Sequence, residues 1–189
     1  MFFPEHAYKK IRDAILRCNA AMVDDVYAIS FFIEDLGDDA RKPTLILGYN
    51  TNTFWHKSIA HASNANEAKW NFAYWPQTCE AFLGNNEDAA LRQEWINALG
   101  LWYSDQDELD NFERTLECGD NITRRFFALA SEIAKRLHDD GIIQQKFNHA
   151  VPILIHELEY YLEIAQITER ANPAGLTTEF SNWIESLYQ

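Results

Sequence analysis

Six consecutive residues, His156-Glu157-Leu158-Glu159-Tyr160-Tyr161, place an imidazole, two carboxylates and two phenols in the densest polar cluster of the chain. Imidazoles change charge near neutral pH and carboxylates move protons or hold metals, so these types together suit acid/base or metal chemistry. The spacing is less favourable. A zincin requires His-Glu-x-x-His on a helix, so that two imidazoles lie one turn apart, and position 160 is tyrosine. The cluster ends a predicted strand, where functional groups often collect. On an extended backbone His156 and Leu158 share one face, and Glu157 and Glu159 the other. The imidazole does not automatically meet either carboxylate, and a strand-end histidine bonded to backbone is the competing reading. His156, Glu157 and Glu159 are the candidate catalytic residues.

Other reactive types are dispersed. His56 and His61 sit five apart in a predicted helix, which turns them away from a shared face, so they read as surface or partly buried histidines. Cys18, Cys79 and Cys118 are odd in number, far apart and in no CxxC pair, which argues against a disulfide framework or a zinc cluster and for buried reduced thiols. Gly-x-Ser-x-Gly is absent, and seven glycines form no phosphate-cradling loop. No metal site and no cofactor is expected. Six tryptophans, at 55, 70, 75, 95, 102 and 183, read as core packing, with a pocket lining or a partner anchor as the alternative.

The second constellation is acidic. Asp105, Asp107, Glu108 and Asp110, with Glu113 and Glu117 behind them, form a candidate partner-binding surface or a solvated loop and helix face. They belong to a chain with 29 acidic against 16 basic residues and a formal net charge of −13. Such a field repels phosphate backbones and anionic lipid and attracts basic proteins. Nucleic acid and membrane are therefore unexpected ligands, and a basic protein is the expected partner; the plain alternative is that the acidity only keeps the chain soluble. The N-terminal residues carry no basic segment followed by a long apolar stretch, and no run of 18 apolar residues occurs, so a soluble cytoplasmic protein is expected. Oligomeric state is left open.

These residues must be positioned by an ordered core, and 47% hydrophobic content supplies one. Apolar spacings of three and four predict an amphipathic helix from Pro4 to Met22. Val26 to Ile33 is β-branched, aromatic and apolar on both faces, as in a buried strand, and pairs most simply as a hairpin with Thr44 to Tyr49 across a short charged turn. A helix is predicted from Thr51 to about Asn66, capped by Asn52 or Thr53. The alternating aromatics of Lys69 to Trp75 predict a third strand, and Asn85 to Trp102 a helix. Tyr103 to Gly119 reads as an acidic loop entering a short helix. The clearest helix begins near Asp120 or Asn121 and stops at Gly141. Val151 to Glu157 predicts a strand that holds Pro152 at its start or at a sheet edge. Helices then follow from Tyr160 to Ala171 and from Leu176 to Leu187. No linker or repeat divides the chain, so residues 1–189 are expected to form one α+β domain, a small largely antiparallel sheet of three to four strands covered by several helices.

Several segments together resemble a known family. These are Val26 to Ile33, Leu45 to Tyr49, Lys69-Trp70-Asn71 through Trp75, Ile153 to Tyr161, Ala171-Asn172-Pro173-Ala174-Gly175-Leu176 and Phe180-Ser181-Asn182-Trp183. The family is the bacterial one called domain of unknown function 4303, and the resemblance covers nearly the whole chain. It brings no catalytic signature. It implies a bacterial cytoplasmic protein of α+β build, linked to immunity proteins that neutralise secreted toxins. The charge of −13 and the lack of a catalytic motif make a non-enzymatic binding protein the expected function. The alternative is a small-ligand binder or enzyme with an aromatic-lined pocket around His156, Glu157 and Glu159.

Overall fold

Because Val26 to Ile33 is apolar on both alternating faces, it can be covered on both, and it forms an inner strand, β1 (Val26–Asp35). The structure, a computed structural model, describes residues 2–19 and 21–189. β1 pairs antiparallel with β2 (Pro43–Thr51), setting Phe31 opposite Leu47 and Ile33 opposite Leu45. The turn between them needs a left-handed residue, which Gly37 provides at φ 68°. β3 (Ala81–Leu83) adds antiparallel to β2, and β4 (Ile153–His156) adds parallel to β1, giving the order β3-β2-β1-β4. The sheet is mixed, and two of its three pairings are antiparallel.

Nine α-helices accompany the sheet among the described residues. α1 (Phe3–Arg17) has Pro4 in its first turn, where a missing N–H does no harm, and it ends well before Met22. α2 (Asn52–Ser58) is shorter than predicted, and its cap is Thr51, whose side chain accepts from Phe54 N at 3.1 Å. The expected strand at Lys69 to Trp75 is absent. Its first residues belong to α3 (Ala65–Trp70), capped by Asn64, and Phe72–Tyr74 is a 3-10 turn capped by Asn71. The alternating aromatics reflect packing, since Trp70 and Trp75 both set their rings against Tyr27. The third strand is Ala81–Leu83, too short for period-two alternation to register.

α4 (Ala89–Ala98) and α5 (Asp105–Asp110) precede α6 (Phe112–Asp139), which starts eight residues before the predicted onset at Asp120. Asn111 caps it by accepting from Arg114 N at 3.2 Å. Its first turns carry exposed Glu113 and Glu117, so the apolar stripe that marks a helix in sequence begins late. Gly141 ends it at φ 72°, as expected of that position. α7 (Ile142–Phe147), α8 (Leu162–Ala171) and α9 (Thr178–Ser186) complete the chain.

Core side chains fall into two clusters on the two faces of β1. Ile29, Phe31, Leu47 and Ile155 pack with Ile11, Ile15, Phe126 and Ile133 of α1 and α6. Ala28 and Leu154 pack with Trp70, Trp75, Phe180 and Trp183. Each large apolar side chain buried this way stabilises by about 1.5–3 kcal/mol. The outer edge of β4 is closed by side chains of α8 and of Asn172, the residue that ends the helix. Asn172 bonds both the N–H and C=O of Ile153 at 2.8 Å, and the Thr168 hydroxyl bonds both of those groups of Ile155 at 3.1 and 3.0 Å. An exposed row of strand donors is thereby removed. Pro152 precedes β4, and its carbonyl accepts from Ile29 N at 2.9 Å. Of the three cysteines Cys18 is buried, Cys79 is exposed in the loop before β3, and Cys118, on α6, is half-buried. No helix among the described residues is long and apolar enough to cross a membrane.

Candidate functional site

His156 closes β4 and is 1% exposed. Its Nδ1 lies 3.1 Å from the Glu157 carbonyl oxygen, which only accepts, so Nδ1 donates and Nε2 accepts from the Ser30 hydroxyl at 2.8 Å. Phe32, Phe72 and Tyr160 surround the ring, with centroids 5.6, 5.0 and 5.8 Å away. Burial pushes the imidazole down to about 4, against the bond to the Glu157 carbonyl, so the ring is neutral at physiological pH. β4 ends here, and the two carboxylates diverge. Glu157 is half-buried in a cleft between α6 and α8, and Glu159 is exposed and accepts from the Tyr161 hydroxyl. Among the described residues no hydrogen bond joins His156 to either carboxylate, and no group of three or more His, Cys, Asp and Glu residues is placed to hold a metal. His56 and His61 are exposed. Trp70, Trp75 and Trp183 are buried, and the other three tryptophans are half-buried.

The acidic candidates lie together. Asp105, Asp107, Glu108 and Asp110 on α5, and Glu113 and Glu117 on the first turns of α6, are all exposed. Two have structural duties. Asp107 closes a capping box with Ser104, accepting its N–H at 2.7 Å, and those bonds hold its carboxyl below the usual range. Asp105 accepts from Arg41 at 2.6 Å. Residues 105–120 carry seven carboxylates against one cation, Arg114, so about a quarter of the acidic side chains occupy a twelfth of the chain.

A second acidic segment meets the first across a cleft of about 380 Å³, which sequence reasoning did not anticipate. Asp35, Asp38 and Asp39 enter from the β1–β2 turn, and Glu108 and Asp120 from α5 and α6. Arg41 is the one cation in this lining, and it is held by Asp39, Asp105 and the ring of Tyr103. Gly119 permits the approach, because a Cβ there would stand 3.1 Å from that of Ala40 and 3.6 Å from the Tyr103 hydroxyl. A glycine inside a helix costs about 0.5–1 kcal/mol relative to alanine, and here it lets the turn close on α6. Burial, then the neighbouring charges of Asp39 and Asp38, push the Asp35 carboxyl up to about 6 against the pull of Arg92. Asp39 goes the other way. Burial alone would raise it, but hydrogen bonds from Arg41 and Lys42 hold it at about 2.

Beside these carboxylates three large apolar side chains face solvent, Leu109 at 81%, Phe112 at 62% and Leu116 at 56% exposure. Their spacing of three and four was readable in the sequence, hidden inside a stretch classified by charge. Phe112 and Leu116 also line the acidic cleft. An apolar centre with a charged rim is the anatomy of a docking surface.

Farther along α6 a cleft of about 610 Å³ separates it from α8. Phe127, Ala128, Ile164 and Ile167 supply apolar lining, and Arg124, Arg170, Glu132, Glu157 and Glu163 supply charge. Compared with family models, curated proteins and solved structures, the chain matches none.

Proposed function

We propose that the chain is a non-enzymatic binding protein whose acidic face holds a basic protein partner. The observation that carries this reading is the convergence of carboxylates from the β1–β2 turn and from α5–α6 on one cleft beside Leu109, Phe112 and Leu116. Carboxylates gathered there, on a chain of net charge −13, accelerate encounter with a cationic surface, and rim charges select the partner more than they hold it. Affinity comes from the apolar anchors, each contributing about 1.5–3 kcal/mol when fully covered. Within this role, the resemblance to domain of unknown function 4303 favours an immunity protein of the bacterial cytoplasm that neutralises a basic toxin. Against a nuclease toxin, an acidic face also occupies the surface meant for nucleic acid. Catalysis by His156, Glu157 and Glu159 is not supported, because the imidazole has no exposed edge and the carboxylates point elsewhere.

Affinity capture from the source bacterium tests the proposal. The immobilised protein should retain a basic protein at low salt and release it at high salt. A variant carrying Glu108→Gln, Asp120→Asn and Phe112→Ser should not retain it. Retention of the same partner by wild type and variant alike, or of no basic protein at all, contradicts the reading.

A further inference from the structure

We infer that the acidic cleft and the cleft between α6 and α8 are two ends of one groove, which receives a single extended segment of the partner, basic at one end and apolar at the other. This inference rests on the binding role proposed above and specifies what is bound. Thr123 lines both clefts. On α6 the lining residues Phe112, Leu116, Asp120, Thr123, Phe127 and Ser131 recur at intervals of three and four, so they share one face of the helix. From Phe112 to Ser131 that face runs about 28 Å at 1.5 Å per residue.

The sheet joins the two ends as well. β1 and β4 are parallel, so both finish at the same side, delivering Asp35 to one cleft and Glu157 to the other. The carboxyls lie close enough that, after burial, the charge of Asp35 raises Glu157.

The chemistry of the lining orients the occupant. At the acidic end Asp35, Asp38, Glu108 and Asp120 have no ion-pair partner among the described residues, and Arg41 is already held by Asp39 and Asp105. Lysine or arginine side chains complement them. At the other end Phe127, Ile164 and Ile167 call for apolar side chains. Arg124 and Arg170 share this lining with Glu132, Glu157 and Glu163, and none of the five makes an ion pair among the described residues, so this end selects for apolar character and not for a charge. A helix spanning the same 28 Å would need about 19 residues. An extended strand covers the distance with about eight residues.

The test uses a synthetic octapeptide of four lysines followed by four leucine or isoleucine residues, with both termini blocked, made in both chain directions. Its controls are a scrambled peptide of the same composition and an octalysine. Titrations of the ¹⁵N-labelled protein followed by NMR should show the better direction binding at least tenfold tighter than the scramble. Amides should move at both ends, at 35–41 and at Ser131, Ile164 and Ile167. A spin label on the lysine end should broaden Asp120, and one on the apolar end Ser131. Ala128→Trp, which fills the far cleft from an exposed position, should reduce the octapeptide to the affinity of octalysine. Equal binding by scramble and octalysine, with shifts stopping at Thr123, overturns the single groove and leaves the basic-partner reading standing. Failure of every basic peptide, octalysine included, overturns both.

Discussion

Asp35→Asn should make the protein more stable and a poorer binder. The carboxyl ends β1 half-buried, with Asp38 and Asp39 on the adjoining turn and Glu157 at the end of β4 as like charges, and Arg92 of α4 as the opposing one. It titrates at about 6 rather than 3.8. Below 3.8 the folded and unfolded chains both hold the proton, and Asp35 contributes no pH dependence. Between those values the unfolded chain ionises first, so stability is lost as pH rises, and above 6 the full penalty is present. At about 1.36 kcal/mol per pH unit the ceiling is about 3 kcal/mol, and contact with solvent reduces it to about 1–2 kcal/mol. Asparagine keeps the shape and removes the penalty. Urea unfolding followed by tryptophan fluorescence should place the variant about 1–2 kcal/mol above wild type at pH 7.5, with a midpoint temperature several degrees higher. At pH 4 the two should coincide. An unchanged or lower stability at pH 7.5 refutes the argument that Asp35 is held among like charges. The same charge serves the partner, so binding of a basic ligand to wild type should weaken as pH falls through 6, and the variant should lose that dependence.

Leu109→Ser, Phe112→Ser and Leu116→Ser should each change stability by less than about 0.5 kcal/mol, since these side chains face water, while together they abolish partner capture. Gly119→Leu should force the β1–β2 turn off α6, costing about 1–2 kcal/mol, and should weaken basic-peptide binding in the same NMR titration. Gly84→Ala should destabilise by about 3 kcal/mol in denaturant, because φ is +81° and its Cβ would stand 2.5 Å from the Pro43 carbonyl oxygen. The ring nitrogens of His156 should keep the NMR signature of a neutral imidazole from pH 8 to about 5; an inflection between 6 and 7 would show that the ring is solvated.

Periodicity made much of this fold legible. The stripe of α1, the two-sided run of β1, the Gly141 stop and the position of Pro152 all follow from rules that act within one segment. The Lys69 to Trp75 segment misled because aromatic alternation describes burial as well as strand geometry, while Asn64 and Asn71, short side chains that cap turns, carried the better signal. The start of α6 was hidden because its first turns are solvated and acidic. The acidic surface at Asp105, Glu108 and Glu117 was visible from charge alone. Its counterpart at Asp35, Asp38 and Asp39 was not, because the two segments meet only through the closeness that Gly119 allows, across some 80 residues of chain. His156 and its neighbouring carboxylates are close in sequence and part at the strand end, a divergence that alternation along an extended backbone does not describe.

The central claim is that negative potential is concentrated where the β1–β2 turn meets α5 and α6. Paramagnetic relaxation by matched cationic and anionic nitroxide probes reads that potential amide by amide. The account predicts that the excess of cationic over anionic effect peaks at residues 35–41 and 104–120, well above the rest of the surface. An excess spread evenly over the molecule would contradict it.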